Sequence, residues 1–501
     1  MIFRDWLKEL DYTLLQGSVD VETEDVIYDS RKAAPGKVFV AMKGIRVDGH
    51  SFIPQVLKAG VRVLVTERLV EEELKNSGLS EDELKQVTVV MVEEGRHALA
   101  LLSAARFDHP AKKLVMIGVT GTKGKTTTTH MIRAILLAAG KKVGMIGTTG
   151  TVIGYVVTPT LNTTPESYEL HQAFAQMVEA GCEYAVMEVS SQGIKMHRTD
   201  GLYFNYAIFT NISPDHIGPG EHADFEEYLY YKTRLLNMCG IGLVNKDDEH
   251  APQIIKAANC ELYTYSEESK EADFVASDIR YVSQPDFVGT EFHISGKYDM
   301  EVRLGIPGLF NVVNALAAVS VCSFLGLDQA RISHALENIR VNGRMEIVYT
   351  SERCTVLVDY AHNAVSMESL LSTLRDYKPK RLVCVFGCGG NRSKDRRYSM
   401  GEIGGKMADL SIITADNSRY EKVEDIIADI RGSIEKTGGK FIEIPDRREA
   451  IRYSILHAQP GDMVAVIGKG HEDYQEINGV RHHFLDREVI EETVKELGEK
   501  A

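Results

Sequence analysis

The stretch VMIGVTGTKGKTTTTHM, Val115 to Met131, constrains the fold more than any other part of this chain. An apolar strand (Leu114 to Val119) runs into a glycine-rich turn ending in Gly124-Lys125-Thr126, and a helix opens directly after it. That strand–loop–helix order is the setting a phosphate-binding loop requires. Backbone N–H groups from Gly121, Thr122, Lys123, Gly124 and Thr127 would hold phosphate oxygens at the helix N-terminus. Lys125 would neutralise their charge, and the Thr126 hydroxyl suits Mg²⁺. The general pattern places a glycine at 119, where this chain has Val119, with glycines at 118 and 121 instead. The setting favours nucleotide binding over an ordinary βα turn.

Strands and helices alternate from the loop to about residue 340. MIRAILLAAG carries apolar residues at helical spacing and Gly140 where a helix would end. KVGMIGTT, YAVMEVSS and YAIFTNIS are apolar strands that end in polar residues. This pattern predicts a doubly wound parallel sheet with the loop at its switch point. Before it, KVFVAM and VRVLVTE flank a helix at FIPQVLKAG, and EEELKNSGLSEDELKQ reads as a solvated helical insertion. After it, RLVCVFGCGGNRS, LSIITADNSRYE and MVAVIGKGHEDYQ repeat one design, a strand that stops at glycines or charges. The chain is therefore expected to be α/β with three domains. These are a small α/β domain at 1–107, a central P-loop domain with a mainly parallel sheet at 108–342, and a Rossmann-like α/β domain at 343–501.

A formal charge of −15 argues against general nucleic-acid binding. Seven scattered cysteines suggest no disulfide framework, and Cys384 and Cys388 read as core thiols. The N-terminal residues lack a signal-peptide pattern, and no apolar run is long enough to span a bilayer, so a cytoplasmic enzyme is expected.

Ligands of open α/β sheets gather at the carboxyl ends of strands. In the last domain those ends carry Arg392, Asn417, Arg419 and Glu472, a set suited to a zwitterionic or diamino substrate. In the central domain they carry Glu188, Asp215 and His216, which with Thr126 would surround a magnesium ion. His216 is the least expected of these ligands, because hard cations prefer oxygen. A nucleotide loop plus a second small-molecule receptor suggests activation of an acid by ATP followed by attack of an amine. Motor and switch NTPases need no such receptor.

The order of motifs resembles the Mur ligase family, and within it the branch that adds the third residue to the peptide of the peptidoglycan precursor. YDSRKAAPGKVFVAMKG, GVTGTKGKTTT, LNTTPE, MEVSSQG, GLFNVVNALAA, NGRMEIV, VDYAH, FGCGGNRSKDRR, TADNSRYE and GKGHEDYQ follow one another across nearly the whole chain. The resemblance implies a monomeric ATP-dependent ligase that forms an acyl phosphate. Its substrates would be a UDP-N-acetylmuramoyl dipeptide and an amino acid, with no nucleic acid and no membrane insertion. It implies that Glu188 and His216 hold magnesium with Thr126, and that Lys232 is carbamylated to N6-carboxylysine and holds a second Mg²⁺. From the residues alone, Lys232 reads as a solvated helix residue. Asn311, Arg344 and Asp359 would complete the ATP site. Ser30 would contact the uridine diphosphate, and Thr163, Thr164, Ser190 and Arg198 the dipeptide. Arg392, Asn417, Arg419, Gly468 and Glu472 would hold the amino acid.

Arg419 favours meso-diaminopimelate over lysine, which has no second carboxylate. The chain departs from the family pattern at Ser418, usually a proline that fixes φ, at Gln192, commonly histidine, and at Met196, commonly glutamine. Lysine use, a folylpolyglutamate- or cyanophycin-type ligase and a non-catalytic nucleotide-binding paralogue are the alternatives.

Overall fold

The strand Val115–Thr120 sits in the middle of a parallel sheet, with Tyr184–Glu188 on one side and Phe204–Phe209 on the other. The computed structural model describes residues 1–44, 47–215 and 217–498, and its contacts divide the chain into two units, Met1–Tyr265 and Ser266–Ala501. His216 lies outside the described residues.

In the first unit, one sheet has the order Thr13–Gln16, Thr88–Met91, Val63–Thr66, Lys37–Val40, Asp25–Ile27. All neighbours are parallel except the first pair. Phe3 and Trp6 are buried against it together with the apolar side of helix Gly95–Arg106. The acidic segment folds as two short helices, Glu71–Lys75 and Glu81–Leu84, rather than one. Gly78 takes a left-handed φ of 72° between them, and Ser80 and Glu83 form a reciprocal cap on the second.

Around Val115–Thr120 the strand order is Glu261–Ser266, Cys239–Asn245, Phe204–Phe209, Val115–Thr120, Tyr184–Glu188, Val143–Gly147. These six are parallel, and an antiparallel hairpin, Gly150–Ile153 and Val156–Thr158, finishes the edge. The central strands are buried on both faces, which is why they read as continuous apolar runs.

The second unit opens differently from the expected alternation. Phe274–Gln284, Phe287–Gly296 and Met300–Leu304 form an antiparallel meander. The two-residue turn at Pro285 and Asp286 leaves no room for a crossover helix, and parallel pairing needs one. Helix Leu309–Phe324 follows, buried along most of its surface. A six-stranded sheet then has the order Glu346–Thr350, Cys354–Asp359, Asp462–Ile467, Arg381–Phe386, Leu410–Ile413, Phe441–Glu443, parallel after its first pair. Cys384 and Cys388 are buried core thiols, as the sequence indicates. No helix among the described residues is long and apolar enough to cross a membrane.

One ion pair anchors this last sheet. The Arg447 and Asp486 side chains are fully buried 2.6 Å apart, and Arg447 Nη1 and Nη2 also donate to the Ala415 and Ile467 carbonyls. Asp486→Ala would strand a buried guanidinium, so chemical denaturation should show this domain destabilised by about 3–5 kcal/mol.

Candidate functional site

Gly121 and Gly124 shape the loop. Gly121 has φ 142° and a Cβ there would lie 1.9 Å from Thr210 Oγ1, while Gly124 has φ 86° and caps helix Lys125–Ala138. Gly124 at the N-cap offers no side-chain acceptor, and a helix N-terminus suits an anion. The loop is fixed from outside. Thr122 N donates to the Asn211 carbonyl (2.8 Å), Lys123 N to Asn211 Oδ1 (2.9 Å) and Thr210 Oγ1 to the Lys123 carbonyl (2.6 Å). Lys125 Nζ donates to the Gly121 and Thr122 carbonyls at 2.9 and 3.2 Å.

Behind the loop, Thr126 Oγ1 lies 3.0 Å from both oxygens of the buried Glu188 carboxylate. Glu188 Oε1 also accepts from Thr148 N at 2.9 Å. A carboxylate, a hydroxyl and nearby phosphate oxygens are the donors a hard divalent cation takes, so these residues fit Mg²⁺.

Lys232 overturns its sequence reading as a solvated residue. It is 2% exposed on helix Phe225–Thr233, and its Nζ donates to the Gly121 carbonyl (2.8 Å) and lies 4.6 Å over the Tyr228 ring. Burial, with Lys125 nearby, holds its pKa well below the ordinary lysine value, so the amine is poised to lose its proton.

The proposed dipeptide residues form a connected wall at the same strand ends. Thr164 Oγ1 donates to the Glu188 carbonyl (3.0 Å) and accepts from Ser190 N (2.9 Å). Ser190 caps helix Ser191–Lys195 by accepting from Gly193 N, and Thr163 Oγ1 is 3.0 Å from Thr148 Oγ1. Arg198 Nη1 donates to the Thr164 carbonyl (3.0 Å), and its Nη2 is 2.7 Å from Glu166, which also meets Arg96 at 3.5 Å. Gln192 Nε2 is buried with no hydrogen-bond partner among the described residues, and so supplies a spare donor where histidine is common. Ser30 opens a short 3₁₀ turn capped by Asp29 in the small five-stranded domain.

The second unit holds the other candidates. Asn311 is buried at the start of helix Leu309–Phe324, with Nδ2 on the Pro307 carbonyl at 2.7 Å. Asp359 accepts from Met345 N and Ala361 N, both at 2.8 Å, and the Arg344 guanidinium lies 5.0 Å over the adjoining Tyr360 ring.

The three repeated strand ends do converge, because Leu410–Ile413, Arg381–Phe386 and Asp462–Ile467 are consecutive in the sheet. Asn417 Nδ2 donates to Glu472 Oε2 at 2.9 Å. Lys469, fully buried, reaches both Asn417 Oδ1 and Glu472 Oε2 at 3.2 Å. Both contacts fall on one oxygen of Glu472, Oε2. A Cβ on Gly468 would sit 2.7 Å from Asp416 Oδ2, so glycine keeps this corner open. Arg419 Nη1 donates to the Gly390 carbonyl at 2.7 Å, and its Nε is 3.7 Å from Glu476 Oε2. Arg392 is exposed on the loop after Arg381–Phe386.

Lys469, Thr148 and Glu166 were not singled out from the sequence. Lys469 stands inside GKGHE and was readable there. Thr148 and Glu166 gain their roles only through contacts across the fold.

Three family descriptions match the chain: "Mur ligase family, catalytic domain" at residues 23–107, "Mur ligase middle domain" at 119–322 and "Mur ligase, glutamate ligase domain" at 343–470. The chain is 38% identical to the UDP-N-acetylmuramoyl-L-alanyl-D-glutamate–2,6-diaminopimelate ligase of Caldanaerobacter subterraneus subsp. tengcongensis, covering 98% of each protein. It is 38% identical to the ligase of the same name from Clostridium perfringens, covering 98% of this chain and 99% of that one. A solved structure described by the same ligase name superposes over 100% of both chains with a TM-score of 0.75 at 29% identity.

Proposed function

The chain belongs to the Mur ligase family, and we propose that within it this protein joins meso-diaminopimelate to the D-glutamyl carboxylate of UDP-N-acetylmuramoyl-L-alanyl-D-glutamate, with cleavage of ATP to ADP and phosphate. The observation that supports the substrate is that Arg419 stands two residues from Asn417, whose Nδ2 holds Glu472, so that a guanidinium for a carboxylate and a carboxylate for an ammonium come from neighbouring strand ends. Lysine would leave Arg419 without a carboxylate. The domains we assign are 1–107 for the uridine nucleotide, 108–342 for ATP and the acceptor, and 343–501 for the amino acid, acting in the cytoplasm on soluble substrates.

In this reading Gly121 to Thr127 cradle the ATP phosphates and Lys125 balances charge as the γ-phosphoryl group moves. Thr126, Glu188, His216 and a carbamylated Lys232 would hold Mg²⁺, which when bound would supply electrostatic stabilisation of that group. Asn311, Arg344 and Asp359 serve the base and ribose, and Ser30 the uridine diphosphate. Thr163, Thr164, Ser190 and Arg198 hold the dipeptide so that its terminal carboxylate attacks phosphorus and displaces ADP. The acyl phosphate carbonyl is then attacked by the amine delivered by Arg392, Asn417, Arg419, Gly468 and Glu472. The tetrahedral adduct expels phosphate, and the amine loses its proton to give the amide.

Phosphate release from ATP and the UDP-linked dipeptide tests this directly, with meso-diaminopimelate, L-lysine, L-ornithine or no amine. Release is expected with diaminopimelate alone. Equal release with lysine would remove the role given to Arg419, and silence with every amine would point to a non-catalytic protein or another acceptor.

A further inference from the structure

We propose that His97, His197 and Asp200 form a binding site for a borderline transition-metal cation such as Zn²⁺, separate from the magnesium position at Glu188. His97 lies on helix Gly95–Arg106, and His197 and Asp200 lie in the turn after helix Ser191–Lys195. The two imidazole Nδ1 atoms reach the same carboxylate oxygen, Asp200 Oδ2, at 2.6 and 2.8 Å. All three donor atoms fall within 4.8 Å of one another, so one ion can reach them together. Two imidazoles and a carboxylate form a donor set that suits zinc, while magnesium prefers all-oxygen surroundings.

The rings stand nearly perpendicular, at 78°, with centroids 6.3 Å apart. The two histidine side chains are 44% and 39% exposed, which leaves them room to move outward by the fraction of an ångström that a bound ion needs, and leaves a coordination position for water. Of the neighbouring charges, Glu94 favours a cation here and Arg96 opposes it.

The placement gives such an ion a consequence. Arg96 and Arg198, the chain neighbours of His97 and His197, both meet Glu166 in the acceptor wall. An ion bridging His97 to His197 and Asp200 would tie the small N-terminal domain to that wall and stiffen it. The site itself does not rest on the ligase reading, although this consequence does.

The test is a titration of the EDTA-treated full chain with Co²⁺ in excess Mg²⁺, followed by visible d–d absorption and by displacement with Zn²⁺. The wild type should bind one equivalent with a tetrahedral-type spectrum, and its melting temperature should rise with Zn²⁺ concentration. His97→Gln combined with His197→Gln should weaken binding by about 10–100-fold or more. Asp200→Asn, which keeps the side-chain shape, should do the same if the double variant folds poorly. Glu188→Gln should leave the signal in place. No saturable signal from the wild type, or equal affinity in the Asp200→Asn protein, would overturn the site.

Discussion

Lys232→Ala should lower turnover by about 10²–10³-fold while the protein still binds ATP, since it removes one preorganised group from the charge balance around the phosphates. The magnitude follows from where Lys232 sits. Its Nζ is buried, shares the Gly121 carbonyl with Lys125 and has its pKa well below the ordinary lysine value. A second ammonium beside Lys125 would repel it, and a neutral amine does little for a phosphoryl group. Addition of CO₂ to that amine would form an N–C bond and release one proton, leaving a carbamate anion in place of a second ammonium beside Lys125. Intact mass in bicarbonate and in CO₂-free buffer measures the adduct, and a short carboxylic acid should restore part of the Lys232→Ala activity. Full turnover without the lysine would end this assignment. A stability measurement gives an independent sign. In CO₂-free buffer the unfolded chain holds the Lys232 proton up to about pH 10.4, whereas the folded chain loses it at lower pH. The unfolded state binds more protons in that window, so wild-type stability should rise with pH there relative to Lys232→Ala.

The sequence shows the loop and the strand ends because both are local patterns: an apolar run, then glycine or charge. Burial of Lys232 is not local. Around it the helix reads YLYYKTRLL, half polar, and the side chain is covered only when the loop, 111 residues earlier, closes over it. The meander at Phe274–Leu304 was hidden because alternating burial over ten residues resembles the strands of an α/β unit until the short turn at Asp286 is recognised. Arg447 and Asp486 are 39 residues apart, and nothing near either one announces the pair. The Arg392, Asn417, Arg419 and Glu472 candidates were readable as strand-end residues, as was Lys469 within GKGHE, but the contacts of Lys469 with Asn417 and Glu472 exist only once the strand ends are brought together.

Arg419→Ala should raise KM for meso-diaminopimelate by about 10²-fold, the scale of a lost charge-assisted pair, and should change kcat much less. The split follows from location: Arg419 would meet the distal carboxylate of the amine substrate, remote from the bond being formed. The missing proline at 418 does not loosen it. Arg419 keeps a left-handed φ of 50°, donates its N–H to the Glu476 carbonyl at 3.0 Å and accepts from Asn478 N at 2.6 Å. The hairpin Tyr474–Ile477 and Val480–His483 thereby fixes the backbone that a proline would otherwise constrain, and the Gly390 carbonyl fixes the guanidinium. Arg419→Lys should recover little, because one ammonium cannot reproduce a two-pronged contact with a carboxylate. Lysine as substrate supplies the control. Lysine has no distal carboxylate to lose, so phosphate release with it should be no lower in Arg419→Ala than in the wild type, where Glu476 pairs with Arg419 at 3.7 Å. If KM for diaminopimelate stays the same in that variant, Arg419 serves the loop rather than the substrate, and specificity must be sought at Asn417 and Glu472.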